Sequence, residues 1–421
     1  MQMNIRGMFP LFIGLGLSMQ GISNAAESRI WTSRKGSILE AELLKADATS
    51  ATLVTKDARQ IVLKLEDLSL ADRQFIVEYG GGDPGMLTTG DLGKPEEQVR
   101  IDSATITRLK DAALIMGGDS EMDFELTQSE HFLIASAGKV RADAVAKTAE
   151  RLWHGMAFQH MNFRRDWADT RMLIFLVEDR TTYGALGEWN KKTLIAADQR
   201  DAAERSAATW DRVGSTSVTV TPEMAEPFKL QPRALVFNVK DDARYKKEMG
   251  PFQIHCIAGA LLGKQLGGVS SFGSEGYFAI TTGHSYYKEI SLGGKSETQI
   301  LNVTGSQNDE IASARGFEDG SSWARSLRKA VRKGDVKVEL EPMLKWTLDG
   351  LKPEQLVLIY SFSYYLQSDM KRLSAFAAMV RRIESSNQIP PAIEIAKIFG
   401  FETVEALNED WAKFIKEGDF K

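Results

Sequence analysis

The chain has 421 residues, more than one typical domain needs, and 43% of them are hydrophobic while 26% are charged. These proportions are ordinary for a soluble globular protein with a sizeable core. The formal net charge of -5, together with the lack of a long basic run in the sequence, argues against a general nucleic-acid-binding protein.

The first 25 residues have the pattern of a signal peptide. Arg6 supplies a positive charge, the run MFPLFIGLGLSMQGI is apolar but short for a membrane span, and SNA places small residues before a cut after Ala25. No later apolar run in the sequence is long enough for a membrane helix. The sequence therefore predicts a periplasmic or secreted protein that has no integral membrane segment once the signal is removed.

Short strands and one helix are predicted between residues 27 and 79. LEAELL, ATLV and the alternating run IVLKL at residues 61–65 have strand patterns, and KDAR suits a hairpin connection. Ser69 followed by Asp72 is typical of a capped helix start, and this helix is expected to continue through Tyr79. The pattern indicates a small all-β, SH3-like barrel that ends in a helix.

This segment resembles the SHD-type domain, the Sla homology domain, which has an SH3-like fold. The matching residues are Trp31, Thr32, Gly36, Glu40, Ala41, Glu42, Leu68, Ser69, Ala71 and Asp72. Because such domains bind short Asn-Pro-Phe-containing peptides in eukaryotic adaptors, the resemblance implies peptide binding, with Trp31, Glu40 and Glu42 as candidate contacts. The alternative interpretation is that Trp31 belongs to the core and that the barrel is a spacer.

A Gly- and Pro-rich linker is predicted at residues 80–100, followed by a large domain at residues 101–421. HFLIASAG, RMLIFLVED, TSVTVTP and RALVFNV predict strands, and ADAVAKTAERLWHGMAFQ predicts a helix. Thr181 or Thr182 is expected to cap a further helix. An α+β part at residues 101–250 and a mainly helical part at residues 251–421 are therefore expected.

The stretch FQIHCIAGALLGKQLGGVSSFGSEGYF, residues 252–278, resembles the zinc-binding region of an HExxH metallopeptidase. In such enzymes two histidines four residues apart face one metal ion, and the glutamate beside the first histidine polarises the attacking water. Together with LIFLVEDRTTYGAL and the C-terminal run AKIFGFETVEALNEDWAKFI, this stretch resembles the bacterial peptidase-MA-like proteins, which are gluzincins. The resemblance covers roughly residue 124 to the end and implies a third, glutamate ligand on a following helix.

The chain departs from this family at the residues that carry the chemistry. His255 matches the first ligand and Glu275 the third, but Cys256 stands at the position of the catalytic glutamate and Gly259 at that of the second histidine. Two ligands are too few for a zinc site, and Cys256 cannot replace the general base. His284 could serve as a replacement ligand only if its helix is interrupted, since it lies nine residues after Glu275.

Two functions follow from these patterns. The sequence favours an exported, non-catalytic protein of the cell envelope, in which an SHD-type barrel and a pseudo-metallopeptidase domain bind a protein or peptide or act as a scaffold. In this interpretation no catalytic residue, cofactor or metal is expected. The alternative is an active zinc-dependent metallopeptidase with an atypical ligand set.

We expect the mature chain to begin at Ala26, or at Glu27 if the cut shifts by one residue, because SNAA places small residues directly after the apolar run. Intact-mass analysis of the protein exported from a native-like host measures this. A mass that still includes Met1 would contradict the predicted signal.

Overall fold

A computed structural model of the chain describes residues 28–33, 38–79, 96, 99–117, 122–159, 170–210, 215–239, 250–267, 275–298, 320–348 and 350–420. The predicted signal peptide and, except for residues 96, 99 and 100, the predicted linker lie outside the described residues. A small antiparallel sheet comes first, a mixed sheet follows, and the C-terminal half is helical. This order agrees with the predicted one.

The N-terminal sheet is a meander in which each strand pairs antiparallel with the next. Its strands are β1 (Arg29–Thr32), β2 (Ile38–Ala46), β3 (Ser50–Thr55) and β4 (Gln60–Lys64). The predicted helix follows as α1 (Leu70–Tyr79), and the Ser69 hydroxyl accepts the backbone N–H of Asp72 at 3.1 Å at its start. One further bridge joins Ser33 to Leu68, so the segment after β4 returns to the end of β1.

Trp31 and Arg29 of β1 make the contacts that hold helix α1 against this sheet. Trp31 is 1% exposed, its indole N–H donates to the carbonyl of Ala41 at 2.9 Å, and its ring meets Phe75 of α1 edge-on at 5.8 Å. The guanidinium of Arg29 lies over both rings and forms an ion pair of 2.7 Å with Asp72. The aromatic core and this ion pair together hold the helix in place.

The second sheet has the strand order β5-β6-β7-β8-β10-β9. The neighbours β7, β8 and β10 run parallel, whereas β5, β6 and β9 are antiparallel to the strands beside them. The strands are β5 (Thr107–Leu109), β6 (Glu125–Gln128), β7 (Phe132–Ala137), β8 (Met172–Val177), β9 (Ser215–Thr219) and β10 (Arg233–Asn238). The strands predicted at HFLIASAG, RMLIFLVED, TSVTVTP and RALVFNV are confirmed as β7, β8, β9 and β10.

Helices cover both faces of this sheet. Successive strand residues point to opposite sides, so alternate residues of each strand contact different helices. Ile134 and Ile174 pack on the face that carries α2 (Ala142–Gln159) and the helical half of the chain. Leu133 and Phe175 pack on the other face, against α3 (Arg180–Ala196) and α4 (Arg200–Trp210). Burial on both sides accounts for the nearly continuous apolar composition of β7 and β8.

The prediction that Thr181 or Thr182 caps helix α3 is wrong. The cap is Asp179, whose carboxylate accepts the backbone N–H of Thr182 at 2.7 Å. That hydrogen bond lowers the pKa of Asp179. A carboxylate at this position also interacts favourably with the positive end of the helix dipole, which a hydroxyl does less well.

The helices of the C-terminal half surround the largely buried α10 (Pro353–Leu366). The others are α5 (Pro222–Ala225), which precedes β10, and α6 (Pro251–Leu266), α7 (Tyr277–Gly293), α8 (Gly320–Lys333), α9 (Leu340–Leu344), α11 (Met370–Ser386), α12 (Ala392–Ile398) and α13 (Val404–Glu417). Within the described residues, no helix has both the length and the apolar character that a membrane crossing requires.

The N-terminal sheet does not stand apart from this body. Leu70 of α1 packs in one buried group with Phe158 of α2 and Leu373 of α11, and the guanidinium of Arg73 lies 5.6 Å from the Phe158 ring. Helix α1 is therefore the element that joins the small sheet to the large domain.

One residue of the predicted linker belongs to the core. Glu96 is 4% exposed, and its carboxylate lies 2.6 Å from the ammonium group of Lys288 on α7. The same ammonium group donates to the side-chain oxygen of Gln159 at the end of α2. The Glu96 side chain covers Gly155, where any added Cβ would collide with it. The chain is therefore fixed to the large domain at Glu96.

Replacement of Lys288 by Met should destabilise the protein by about 3–5 kcal/mol, because the Glu96 carboxylate would stay buried without its counter-charge. A double variant that also carries Glu96→Met should recover much of this loss, since two apolar side chains need no charge partner. Urea unfolding monitored by circular dichroism measures both. Lys56→Met is the matched control, because Lys56 pairs with Glu40 on the surface and its loss should cost at most about 0.5 kcal/mol. If Lys288→Met lowered the free energy of unfolding by no more than Lys56→Met does, the buried pair would not have the role described here.

Candidate functional site

Helices α6 and α7 carry most of the residues that resemble a zinc site, and they pack closely in antiparallel fashion. In successive contacts between the two helices, the residue number increases on α6 and decreases on α7. The facing pairs are Pro251 with Gly293, His255 with Glu289, Gly259 with Ser285 and Gly263 with Tyr277. Glycine at three of these contacts lets the two backbones approach.

His255 is paired with Glu289. Its Nδ1 lies 2.9 Å from Oε2 of this carboxylate, and its ring meets Tyr286 edge-on at 4.5 Å. Glu289 is completely buried, and its other oxygen accepts the backbone N–H groups of Glu297 at 2.6 Å and Thr298 at 3.0 Å. Both oxygens of Glu289 are thus engaged, and His255 is one of their donors.

Glu275, the residue that matches the third ligand, lies at the far end of the helix pair. It is exposed, and the following Gly276 donates its N–H to the carbonyl of Leu344. Helix α7 begins at Tyr277, twelve residues before Glu289, which corresponds to about 18 Å along the axis. The structure therefore brings Glu289, and not Glu275, to His255.

The positions of the two missing residues serve packing. A Cβ on Gly259 would lie 2.5 Å from the hydroxyl oxygen of Ser285, which donates to the carbonyl of Thr281 at 2.9 Å. A histidine at position 259 would need this space, so α7 would have to move away. Cys256 is half-buried against the main core.

His284 lies on a different side of α7. It is fully buried, its Nδ1 is 3.4 Å from the side-chain nitrogen of Gln367, and its ring is 6.1 Å from that of Phe376. Helix α7 continues through Gly283 without interruption. A Cβ at this position would lie 2.6 Å from the carbonyl oxygen of Ile359, so the glycine allows α10 to pack closely here. The interruption that His284 would need in order to act as a ligand beside His255 is therefore not present.

Burial, and to a lesser degree the charge of Lys288, lowers the pKa of His284 well below its ordinary value of 6.5. The imidazole is consequently neutral inside the fold.

Of the three peptide-contact candidates in the N-terminal sheet, one is internal. Trp31 is a core residue, which agrees with the alternative interpretation of this tryptophan. Glu40 and Glu42 lie on the outer face of β2, opposite to the buried Ala41, and Glu40 forms an ion pair of 2.6 Å with Lys56. A ligand could reach the two glutamates but not Trp31.

A cleft of about 730 Å³ lies between helix α1 and the C-terminal helices. Its lining combines aromatic and aliphatic side chains with charged ones: Phe75, Asp369, Lys371, Arg372, Ser374, Ala375, Ala378, Arg381, Ile398, Phe399, Gly400, Phe401 and Asp410. The volume is within the range of small-molecule and peptide-side-chain pockets.

The two neighbouring cations of this cleft differ in their partners. Arg372 donates to Asp369 at 2.8 Å and to Asp410 at 2.7 Å, and its guanidinium lies 4.2 Å from the centre of the Tyr365 ring. Lys371 forms no ion pair with a carboxylate in the part of the chain that the structure describes. Arg372 is therefore a fixed wall of the cleft, whereas the charge of Lys371 is open to a ligand.

A second group of titratable side chains, which the sequence analysis did not predict, lies where β7 meets α2. Glu150 is 2% exposed, and its two oxygens bind the backbone N–H and the Nδ1 of His131, each at 2.8 Å. Burial alone would raise the pKa of Glu150, but the hydrogen bonds that His131 donates to its carboxylate outweigh burial and hold the pKa below its ordinary value. His154 lies one helical turn after Glu150, and this spacing was the only local signal of the group.

No protein-family model, no curated protein and no solved structure matches the chain.

Because His284 is neutral in the fold but takes up a proton near pH 6.5 when unfolded, stability should fall as the pH drops below about 6.5. The unfolded state then binds one more proton than the folded state, which corresponds to a slope of about 1.4 kcal/mol per pH unit. Above that pH His284 should make no contribution to the slope. The measurement is urea unfolding between pH 7.5 and 5 for the wild type and His284→Asn. Equal slopes in the two proteins below pH 6.5 would contradict this assignment.

Proposed function

We propose that this chain is an exported, non-catalytic protein of the cell envelope that binds a protein or peptide segment, built on an SHD-type, SH3-like barrel and a gluzincin-like domain. The observation that carries the proposal is the closed packing of helices α6 and α7. In this packing Glu289 is bound to His255, and Ser285 fills the space beside Gly259.

Four features in and around this helix pair argue against peptide-bond hydrolysis. A catalytic zinc ion needs three convergent protein ligands and a free coordination position. Here Nδ1 of His255 is bound to Glu289, and the space beside Gly259 is filled by Ser285. Glu275 precedes α7, whose first residue lies about 18 Å along the helix axis from Glu289. No carboxylate stands next to His255 on α6 to act as the base, because that position is Cys256.

The SH3-like description of the N-terminal domain rests on two observations. The four strands form a meander, and the bridge from Ser33 to Leu68 brings the end of the sheet back toward its first strand. Such a return is what closure of a small barrel requires.

The cleft between α1 and α11 is the surface that we propose for ligand binding. Phe75 comes from the N-terminal domain, Phe399 and Phe401 from the C-terminal helices, and Lys371 adds a positive charge without an ion-pair partner among the described residues. An apolar wall beside an open cation suits a peptide that carries an apolar side chain next to a carboxylate. Both domains would contact such a peptide, which gives the small domain a role beyond that of a spacer.

Lack of peptidase activity is the first expected result. We expect the purified mature chain not to cleave casein or generic peptides when zinc is supplied, because the residues around His255 offer neither a complete ligand set nor a base. His255→Ala should have the same metal content as the wild type. Cleavage that is abolished by a chelator and by His255→Ala would establish the alternative function, an active zinc metallopeptidase with an atypical ligand set.

Peptide binding in the cleft is tested separately. Short peptides with an acidic residue or a free C-terminal carboxylate beside an aromatic residue are screened by fluorescence polarisation. For those that bind, Lys371→Ala should weaken binding by about tenfold, the loss expected for one charge-assisted contact. Lys329→Ala is the control, since this exposed lysine on α8 does not line the cleft. Equal affinities for Lys371→Ala and the wild type would exclude this cleft as the binding surface.

A further inference from the structure

We propose that Glu130, His131 and His154 form a binding site for a divalent transition-metal ion of the zinc class, separate from the helix pair of α6 and α7. One ring nitrogen of each histidine and one carboxylate oxygen of Glu130 lie within 4.8 Å of one another. Nε2 of His131 is 4.0 Å from Oε1 of Glu130. Glu130 and His131 lie in the turn between β6 and β7, and His154 lies in the C-terminal half of α2.

The ring of His131 is held ready to act as a ligand. An ionised carboxylate only accepts hydrogen bonds, so Nδ1 of His131 carries the hydrogen that Glu150 binds, and Nε2 of the neutral ring keeps its lone pair. Trp153 stacks face to face on the same ring at 3.5 Å, which fixes its plane. A histidine that binds a metal through one ring nitrogen commonly donates the N–H of the other nitrogen to a carboxylate, which fixes its tautomer and orientation.

The distances suit a tetrahedral ion after a small movement of one flexible side chain. Metal–ligand bonds of 2.0–2.2 Å place neighbouring ligand atoms roughly 3.4 Å apart. The side chains of His131 and His154 are 5% and 10% exposed, so their positions are set by the core, whereas that of Glu130 is 70% exposed and can swing inward. A water molecule that approaches from the exposed side of Glu130 would be the fourth ligand.

The charges and atom types favour a divalent ion of this class. With both histidines neutral, the carboxylates of Glu130 and Glu150 give the group a formal charge of -2, which one divalent cation balances. Two imidazole nitrogens and one carboxylate oxygen are ligands typical of zinc, cobalt, nickel and copper, whereas magnesium and calcium prefer oxygen alone. The HExxH pattern places both histidines on one helix face, whereas His131 directly precedes β7 and His154 lies on α2.

Such an ion would have a structural consequence. His131 directly precedes β7, and His154 belongs to α2. An ion bound by both histidines would therefore link the start of β7 to the helix that packs on the sheet. Metal binding should therefore raise the melting temperature, because an ion that binds only the folded state stabilises it by mass action.

The experiment uses the purified chain after removal of metal with a chelator. Cobalt and then zinc are titrated, the stoichiometry is measured by elemental analysis, and the visible spectrum of the cobalt form reports tetrahedral coordination. We expect one ion per chain and a higher melting temperature. Glu150→Gln should weaken binding 10- to 100-fold through the orientation of His131.

Glu130→Gln and His154→Gln are the deciding variants. Glu130 is exposed, so its replacement should leave the fold intact and weaken binding at least tenfold, while His154→Gln should abolish stoichiometric binding. His255→Asn is the control and should bind as the wild type does, which keeps this result independent of any peptidase activity. The proposal is overturned if no stoichiometric ion binds, if binding survives unchanged in both deciding variants, or if His255→Asn alone abolishes it.

Discussion

The buried carboxylate of Glu289 is the constraint from which the arrangement of the helical half follows. A carboxylate without solvent must be fully hydrogen-bonded, and its partners are His255 on the facing helix and the backbone of residues 297 and 298. These bonds set the register of α6 on α7. That register places Gly259 against Ser285 and separates His255 from Glu275, so the same interaction that stabilises the helix pair also removes the geometry of a peptidase centre.

Buried polar pairs recur wherever distant segments of this chain meet. Glu289 joins α6 to α7, Glu96 and Lys288 join the end of the predicted linker to α7 and α2, and Glu150 joins α2 to the start of β7. Each pair adds little net stability over an apolar contact, but the loss of one partner is costly. These pairs therefore specify which segments pack together, while the large apolar core supplies most of the stability.

The contact between the small N-terminal sheet and the large domain gives the molecule its proposed binding surface. Helix α1 contributes Phe75 to the cleft and, on another side, packs Leu70 against α2 and α11. Since Phe75 also packs on Trp31, the aromatic wall of the cleft is continuous with the core of the sheet. Trp31, which the family resemblance suggested as a peptide contact, is buried, and its contact with Phe75 helps to position a residue that lines the cleft.

The sequence by itself determined the local elements. The strand patterns of β7, β8, β9 and β10, the 3.6-residue pattern of α2 and the Ser69 cap all depend on residues within one segment, and the structure contains each of them. The predicted cap of α3 was two or three residues too late, because both aspartate and threonine are common helix caps and the sequence offers both near this helix start.

Only the tertiary structure decided that His255 meets Glu289, that His131 meets Glu150, and that Glu96 enters the core. These pairs lie 34, 19 and, for Glu96 with Lys288, 192 residues apart. Periodicity shows which face of a helix or strand is buried, but the partner on the facing element depends on the path of the loops and on the relative shift of the packed elements, which no local pattern encodes.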